Sequence, residues 1–408
     1  MKTSTTIQIK KLNPIEWAFL LMVIGMGIAP NTVIGYILCT YFIAYIFLTR
    51  KNKLKISFYF VIELMLIIYL IFQFFIGVRY EQAQFTGIRT LLISFIFNFA
   101  LYQFLVCQGV SRASDLYATG NIISDFILLL FYFGTIFHSG GLSAIELKGF
   151  SVLKIGGVAS VNIGWINVIS IVLLWPNYLK SKDKNTLIKI GILLTFAILT
   201  GRRKIFLLLF VSLIIGTYLF YSSKGIKQAF KGIIMGIIGV CIIWFMIMKI
   251  PVLYEILGRR LQNAFMVIFE NDNGMDSSIN MRNQLTVKAI NAWKNNIVFG
   301  QGYNAFSKIY NNGGYYSHNN YLELLVSFGV LGTGIYYMKY IYLLIKIWIS
   351  QLQKKMPQWY SIYYIANMMA FCVLEMYQIT YMYRSLTVFL IFCLYVASNK
   401  NDGGYSEF

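Results

Sequence analysis

The chain has 408 residues, of which 58% are apolar, 17% aromatic and only 12% charged. Soluble domains carry roughly 25% charged residues because their surfaces face water, so most of this surface must face lipid. A soluble enzyme, a disordered chain and a secreted disulfide scaffold are disfavoured. Lys and Arg number 35 against 15 Asp and Glu, a formal net charge of +20, but the cations punctuate apolar runs instead of clustering on a soluble module. They report membrane topology, and no nucleic-acid partner is expected.

Apolar runs long enough to span a bilayer, which needs about 20 residues per helix, fall at 14–29, 31–49, 56–78, 88–108, 117–137, 156–178, 186–201, 204–222, 231–250, 322–345, 359–378 and 382–398. The expected fold is an all-α polytopic membrane protein with about 12 transmembrane helices. Lys2, Lys10 and Lys11 precede the first run like the basic start of a signal peptide, but a second run follows at once, so the first is expected to be a retained span. Glu63, inside the third run, is costly in lipid and implies a partner that the sequence does not name. Five cysteines lie within apolar runs without a CxxC pair and are read as packing residues.

Every second loop is basic. Arg50, Lys51, Lys53 and Lys55, then Arg112, then Lys180, Lys182, Lys184 and Lys189, then Lys224, Lys227 and Lys231, and finally Lys346, Lys354, Lys355 and Lys400 mark one side. By the positive-inside rule this side is cytoplasmic, as are both termini. Two outer segments break the pattern. Thr200-Gly201-Arg202-Arg203-Lys204 puts three cations in a tight hairpin turn near membrane depth, where charges are usually paired or functional. Cations that merely snorkel to headgroups are the plain alternative. The other exception is the long segment 251–321, the one soluble-like piece.

Within that segment Met281, Leu285, Ala289, Ala292 and Trp293 recur at helical spacing, predicting an amphipathic helix over 277–293 with a serine available as N-cap. Arg282 then falls in the first turn, where amide groups and the helix dipole favour an anion and a guanidinium fork suits phosphate. Gly300-Gln301-Gly302 lacks both the preceding strand and the third glycine of a nucleotide loop, and reads as a sharp turn ahead of aromatic residues. Ser317-His318-Asn319 opens the tenth span at the water–lipid boundary, where a histidine with an ordinary pKa near about 6.5 can act as a base. Glu270, Asp272 and Asp276 could hold a hard cation, but their spacing matches no EF-hand and a solvated acidic turn is preferred, so no metal or cofactor is expected. His138, followed by Gly140-Gly141, reads as a loop histidine, and Glu375 is a further candidate for substrate contact.

Arg282 with its helix ending at Trp293, Gly300-Gln301-Gly302 with Phe306, His318-Asn319 with Leu322-Glu323, and Gly329 to Gly332 together resemble the C-terminal signature of the O-antigen polymerase/ligase superfamily (Wzy/WaaL type). Thr200-Gly201-Arg202-Arg203 is similar to that family's upstream Thr-x-Ser-Arg turn, with Arg202 where serine is common. The resemblance covers 190–335 in detail. It implies a GT-C-like helical fold and a glycosyltransferase that uses undecaprenyl-pyrophosphate-linked oligosaccharide on the outer face of the cytoplasmic membrane. The expected catalytic residues are His318, Arg282 and Arg203, of the two adjacent arginines the favoured match. The expected substrate contacts are Arg202, Lys204, Arg259, Arg260, Tyr303, Asn319, Glu323 and Arg384.

Three parts are expected: helices one to nine over 1–250, an extracytoplasmic catalytic loop over 251–321, and three helices with a cytoplasmic tail over 322–408. The favoured activity is a metal-independent, inverting polymerase of surface polysaccharide, O-antigen or capsule. A ligase shares the same signature. A flippase of the same lipid-linked units is the reading from another class, opposed by the absence of internal repeats and of paired interrupted helices. Membrane lipid, and a flippase and chain-length regulator of the same pathway, are the expected partners.

Overall fold

The computed structural model describes residues 12–28, 33–50, 54–77, 80–138, 160–200, 205–251, 254, 258, 262, 277–311, 316–381 and 384–399. Among them the secondary structure is helical, with no strand. The helices are α1 (Pro14–Ile28), α2 (Val33–Arg50), α3 (Phe58–Phe75), α4 (Glu81–His138), α5 (Ser160–Ser181), α6 (Lys184–Leu199) and α7, which runs Ile205–Phe210, a π turn Val211–Ile215, then Gly216–Ser222. They continue as α8 (Ile226–Lys249), α9 (Ser277–Lys294), α10 (Ala305–Asn311), α11 (Asn320–Leu352), α12 (Gln358–Glu375) and α13 (Arg384–Ser398). Each apolar run named above coincides with helix. By length and composition the helices containing Phe58–Phe75, Glu81–Phe131, Ile226–Lys249 and Asn320–Leu352 are able to cross a membrane, and Pro14–Ile28, Val33–Thr49, Phe206–Ser222 and Leu386–Ser398 are shorter apolar helices.

Local chemistry sets the starts. Asn13 and Glu16 form a reciprocal capping box at α1, each amide donating to the other's side chain at 2.9 Å. Asp183 caps α6, and Asn319 caps α11 by accepting the Leu322 amide at 3.1 Å. Inside, aromatic rings carry much of the packing: Phe19 stacks on Phe104 at 4.1 Å, and Tyr363 donates to the Val172 carbonyl at 2.7 Å. Outside, α8 turns Phe230, Ile237, Ile238 and Phe245 outward, more than half exposed, as a helix does when lipid is its solvent.

Contacts sort the loops into the two ends that the charge pattern distinguishes. At one end Lys55 donates to Asn399, Lys346 donates to Tyr342, Arg112 pairs with Glu16 at 2.6 Å, and Lys189 pairs with Asp115 at 2.5 Å. At the other, Tyr69 and Gln73 of α3 meet the segment that leads into α11. The partner of Glu63 now has names. Asn98 donates to its carboxylate at 2.8 Å, and the Lys339 ammonium, 6% exposed, acts on it electrostatically.

Two helices depart from the simple reading. The fourth and fifth runs are one helical stretch interrupted only at Gly109 (φ 76°, ψ 162°), so Arg112 lies in a helical turn instead of a loop. Glycine alone adopts this backbone cheaply, which lets one residue replace a loop. The expected single span at 322–345 is broken at Gly329 (φ 61°, ψ −168°). Within 251–321 the expected amphipathic helix is present as α9, and α10 is added to it.

Candidate active site

The break at Gly329 is the centre of the end opposite the paired cations. A helix interrupted at membrane depth frees carbonyls and amides that lipid cannot satisfy, so protein must cover them. Here the chain around Gly300 does so. Gln301 and Gly302 donate to the Val326 and Ser327 carbonyls at 2.8 and 2.9 Å, while Val330 and Leu331 donate to the Ile297 and Val298 carbonyls at 2.9 and 3.2 Å. Tyr69 adds donation to Phe299 and Phe328, and Gln73 to Phe299 and Ser327. The Gly-Gln-Gly turn, with φ of 73° at Gly300 and 100° at Gly302, is thus a plug laid into the broken helix.

Tyr303, expected as a substrate contact, is 6% exposed. Its amide donates to Gln84 at 2.7 Å and its ring lies edge-on to Tyr381 at 5.6 Å. Phe306 is fully buried under α9 with Leu285, Ala289, Ala292 and Val326. The amphipathic helix therefore exists as α9 (Ser277–Lys294) and buries Leu285, Ala289 and Ala292, whereas Met281 is 40% exposed. Both serines at its start lie within the first turn. Arg282 is half-buried one turn before Leu285 on the packed face. That face rests on Leu322 and Val326, the first turns of α11, immediately after His318.

His318 stands in left-handed backbone (φ 57°) with its ring 4.2 Å from that of Tyr316. The turn that presents it is held from both sides. The Glu323 carboxylate, with no exposed surface, accepts the Ser317 amide at 3.0 Å, and the Ser317 hydroxyl donates to the Asn319 carbonyl at 2.8 Å. Glu323 and Asn319, expected to touch substrate, are placed where they support the histidine turn and the helix start.

Sequence reasoning missed Asn320. It is fully buried, and its side-chain oxygen accepts the amides of Thr380 and Tyr381 at 2.9 and 3.2 Å while its NH2 donates to the Tyr337 hydroxyl at 3.2 Å. Glu375, also fully buried, accepts from Tyr337, Tyr340 and Thr380 at 2.7, 2.8 and 2.5 Å. Together they tie the turn that precedes α13, whose first residue is Arg384, to the start of α11 beside His318. No local pattern distinguishes Asn320 from Asn319; only the contact with residues 60 positions away does.

Arg202, Arg203, Lys204, Arg259, Arg260, Glu270, Asp272 and Asp276 lie outside the described residues, and the side chains of Arg384 and His138 do as well. Among the described residues no group of three or more His, Cys, Asp or Glu is arranged to hold a metal ion.

Residues 190–337 match the family model described as O-antigen ligase. That stretch begins in α6, contains α9, the Gly300 plug and His318, and ends just past the Gly329 break, and over it the chain is similar to the O-antigen polymerase/ligase superfamily. Proteins of that family transfer glycans and act on lipid-linked glycans. No curated protein matches the chain.

Proposed function

We propose that the protein joins undecaprenyl-pyrophosphate-linked repeat units into a surface polysaccharide at the outer face of the cytoplasmic membrane, with twelve spans and both termini inside. The observation that carries this reading is the packing of the Arg282 helix face onto the first turns of α11, directly after the clamped His318. Both lie within the family-matched stretch.

Breaking the anomeric C–O bond leaves a lipid pyrophosphate with growing negative charge. Cations placed beforehand around that leaving group stabilise the transition state more than the ground state. Arg282 and Arg203 take this role, without a metal. His318 accepts the proton of the acceptor hydroxyl, a step that contributes about 10²–10⁴-fold. Its left-handed turn holds the ring at the start of α11, and Glu323 and Asn319 fix that turn. One displacement inverts the anomeric centre, and a product linkage retaining the donor configuration would refute the scheme.

The printed description of the family model favours a second reading, a ligase that moves finished glycan to another acceptor with the same residues. Gel analysis of surface glycan in a deletion strain separates the two. Single units remain if the protein polymerises, and long unattached chains remain if it ligates. In the same strain His318→Ala and Arg282→Ala are expected to insert at normal levels and to abolish product; wild-type chain lengths in both variants would overturn the site.

A further inference from the structure

A polar crevice lies in the helical interior, apart from the His318 turn, between α3, α4, α11 and α13. Glu63 lines it from α3, Ser94 and Asn98 from α4, Lys339 from α11, and Tyr381 from the turn before α13. Its free volume is about 40 Å³, and a water needs about 10–15 Å³, so there is room for about three.

The hydrogen bonds of this lining do not close within the protein. The Asn98 NH2 donates to Glu63 Oε1 at 2.8 Å, but the acceptors Glu63 Oε2 and Asn98 Oδ1 are buried with no hydrogen-bond partner. The Tyr381 hydroxyl is buried and unpartnered too, although its amide is held by Asn320. Lys339, 6% exposed, lays its ammonium over the Tyr336 ring at 3.9 Å, and among the described residues none of its donors makes a hydrogen bond. Glu63 and Lys339 act on each other electrostatically, yet the ion pairs among the described residues are those of Arg112 and Lys189.

Unmet acceptors and an unmet donor thus face one space at a depth where lipid offers no hydrogen bonds. The fitting occupant both donates and accepts, is small, and adds no charge beside a carboxylate and an ammonium that already balance. Water meets all three conditions. A metal ion fits poorly, since Lys339 already supplies the positive charge, and among the described residues no group of three or more His, Cys, Asp or Glu is arranged to hold one.

We infer that the crevice is a water-binding site, in which about three ordered waters join the Glu63 carboxylate and Asn98 to the Lys339 ammonium and the Tyr381 hydroxyl. The waters link the charged couple inside the bundle to the Thr380–Tyr381 turn, whose amides Asn320 accepts beside His318. The site takes no part in the glycan chemistry and stands whichever reaction the protein performs.

The test is X-ray radiolytic footprinting of the full chain in nanodiscs, which makes hydroxyl radicals from water in place and oxidises the side chains that touch it. Tyr336, Tyr340 and Tyr381 line the crevice and are 4, 4 and 7% exposed, whereas Tyr363 and Tyr364 have no exposed surface and line no part of it. The crevice tyrosines are expected to label on the order of tenfold faster than Tyr363 and Tyr364, because bound water supplies the radical at their side. After millisecond mixing into water enriched in heavy oxygen, their label is expected to carry the light isotope, since enclosed waters exchange slowly with bulk. Ser94→Leu, which fills the space from α4, is expected to bring all three down to the rate of Tyr363 and Tyr364. Leu92→Ala, on the same helix and 44% exposed, is expected to leave the rates unchanged. Equal labelling of the two tyrosine sets in the wild type, heavy oxygen in the crevice label at the shortest mixing time, or unaltered labelling in a folded Ser94→Leu protein overturns the proposal. The comparison within the wild-type chain decides by itself should the leucine variant misfold.

Discussion

Replacing Gly329 by alanine tests whether the broken helix is the keystone of the end that holds His318. A Cβ there would stand 2.2 Å from the Val298 carbonyl oxygen, 2.4 Å from its carbon and 2.6 Å from the Gly300 nitrogen. These are backbone atoms, so no side chain can swing aside. The conformation, φ 61° and ψ −168°, is one that residues with a Cβ scarcely adopt, at a cost of about 1–3 kcal/mol. Relief requires the plug to withdraw, which breaks the four backbone hydrogen bonds between 297–302 and 326–331, each contributing about 1 kcal/mol net. The expected loss is on the order of 4 kcal/mol, read as a lower thermal midpoint of the purified protein in detergent together with loss of product in cells. Gly334→Ala is the internal control: the same helix, nothing within 4 Å of its Cβ, and an expected gain of about 0.5–1 kcal/mol from higher helix propensity. Wild-type melting of Gly329→Ala, or equal effects of the two substitutions, would refute the reasoning.

Asn320→Leu is expected to release the Thr380–Tyr381 turn and abolish product, while Asn320→Asp, which keeps the acceptor oxygen, retains most of it; identical glycan profiles for the two variants would exclude the clamp. Glu63 and Lys339 should fail additivity. Glu63→Gln and Lys339→Met each remove one member of a buried, electrostatically coupled couple, and the double variant is expected to melt above the sum of the singles, so additive melting refutes the coupling. Asp183 accepts from the Thr186 amide and hydroxyl, both at 2.9 Å, which holds its carboxyl below the ordinary 3.8. A depressed folded-state pKa gives stability that is present above the unfolded value and lost as pH falls through the folded one. Asp183→Asn is therefore expected to match the wild type at neutral pH, since it still caps the helix, and to show a flatter loss of stability in acid; superimposable acid limbs would count against it.

How much of this was legible beforehand follows the range of the interactions. Apolar run length and helical spacing are local properties, so among the described residues the apolar runs and the amphipathic α9 are helical where the pattern predicts helix, although two runs merge in α4 and α11 is broken at Gly329. The division of the loops into two ends was legible for the same reason, since lysines and arginines mark it residue by residue. The family resemblance was legible because the residues that carry it lie within one continuous segment, and the family match covers that segment. What only the tertiary structure decided involves partners far apart in sequence. Glu63 meets Asn98, Gly300 meets Gly329, and Asn320 meets Thr380, and nothing in the local pattern around any of these residues announces its mate. Tyr303 and Glu323 illustrate the limit. Their types suggest binding, and the structure adds what no type could give: both are buried, Tyr303 beside Gln84 and Tyr381 and Glu323 on the Ser317 amide. Hydrophobic periodicity determines which segments become helices, because a helix needs only its own neighbours; which helix breaks, and what fills the break, is fixed by hydrogen-bond complementarity between segments that meet only after the chain has folded.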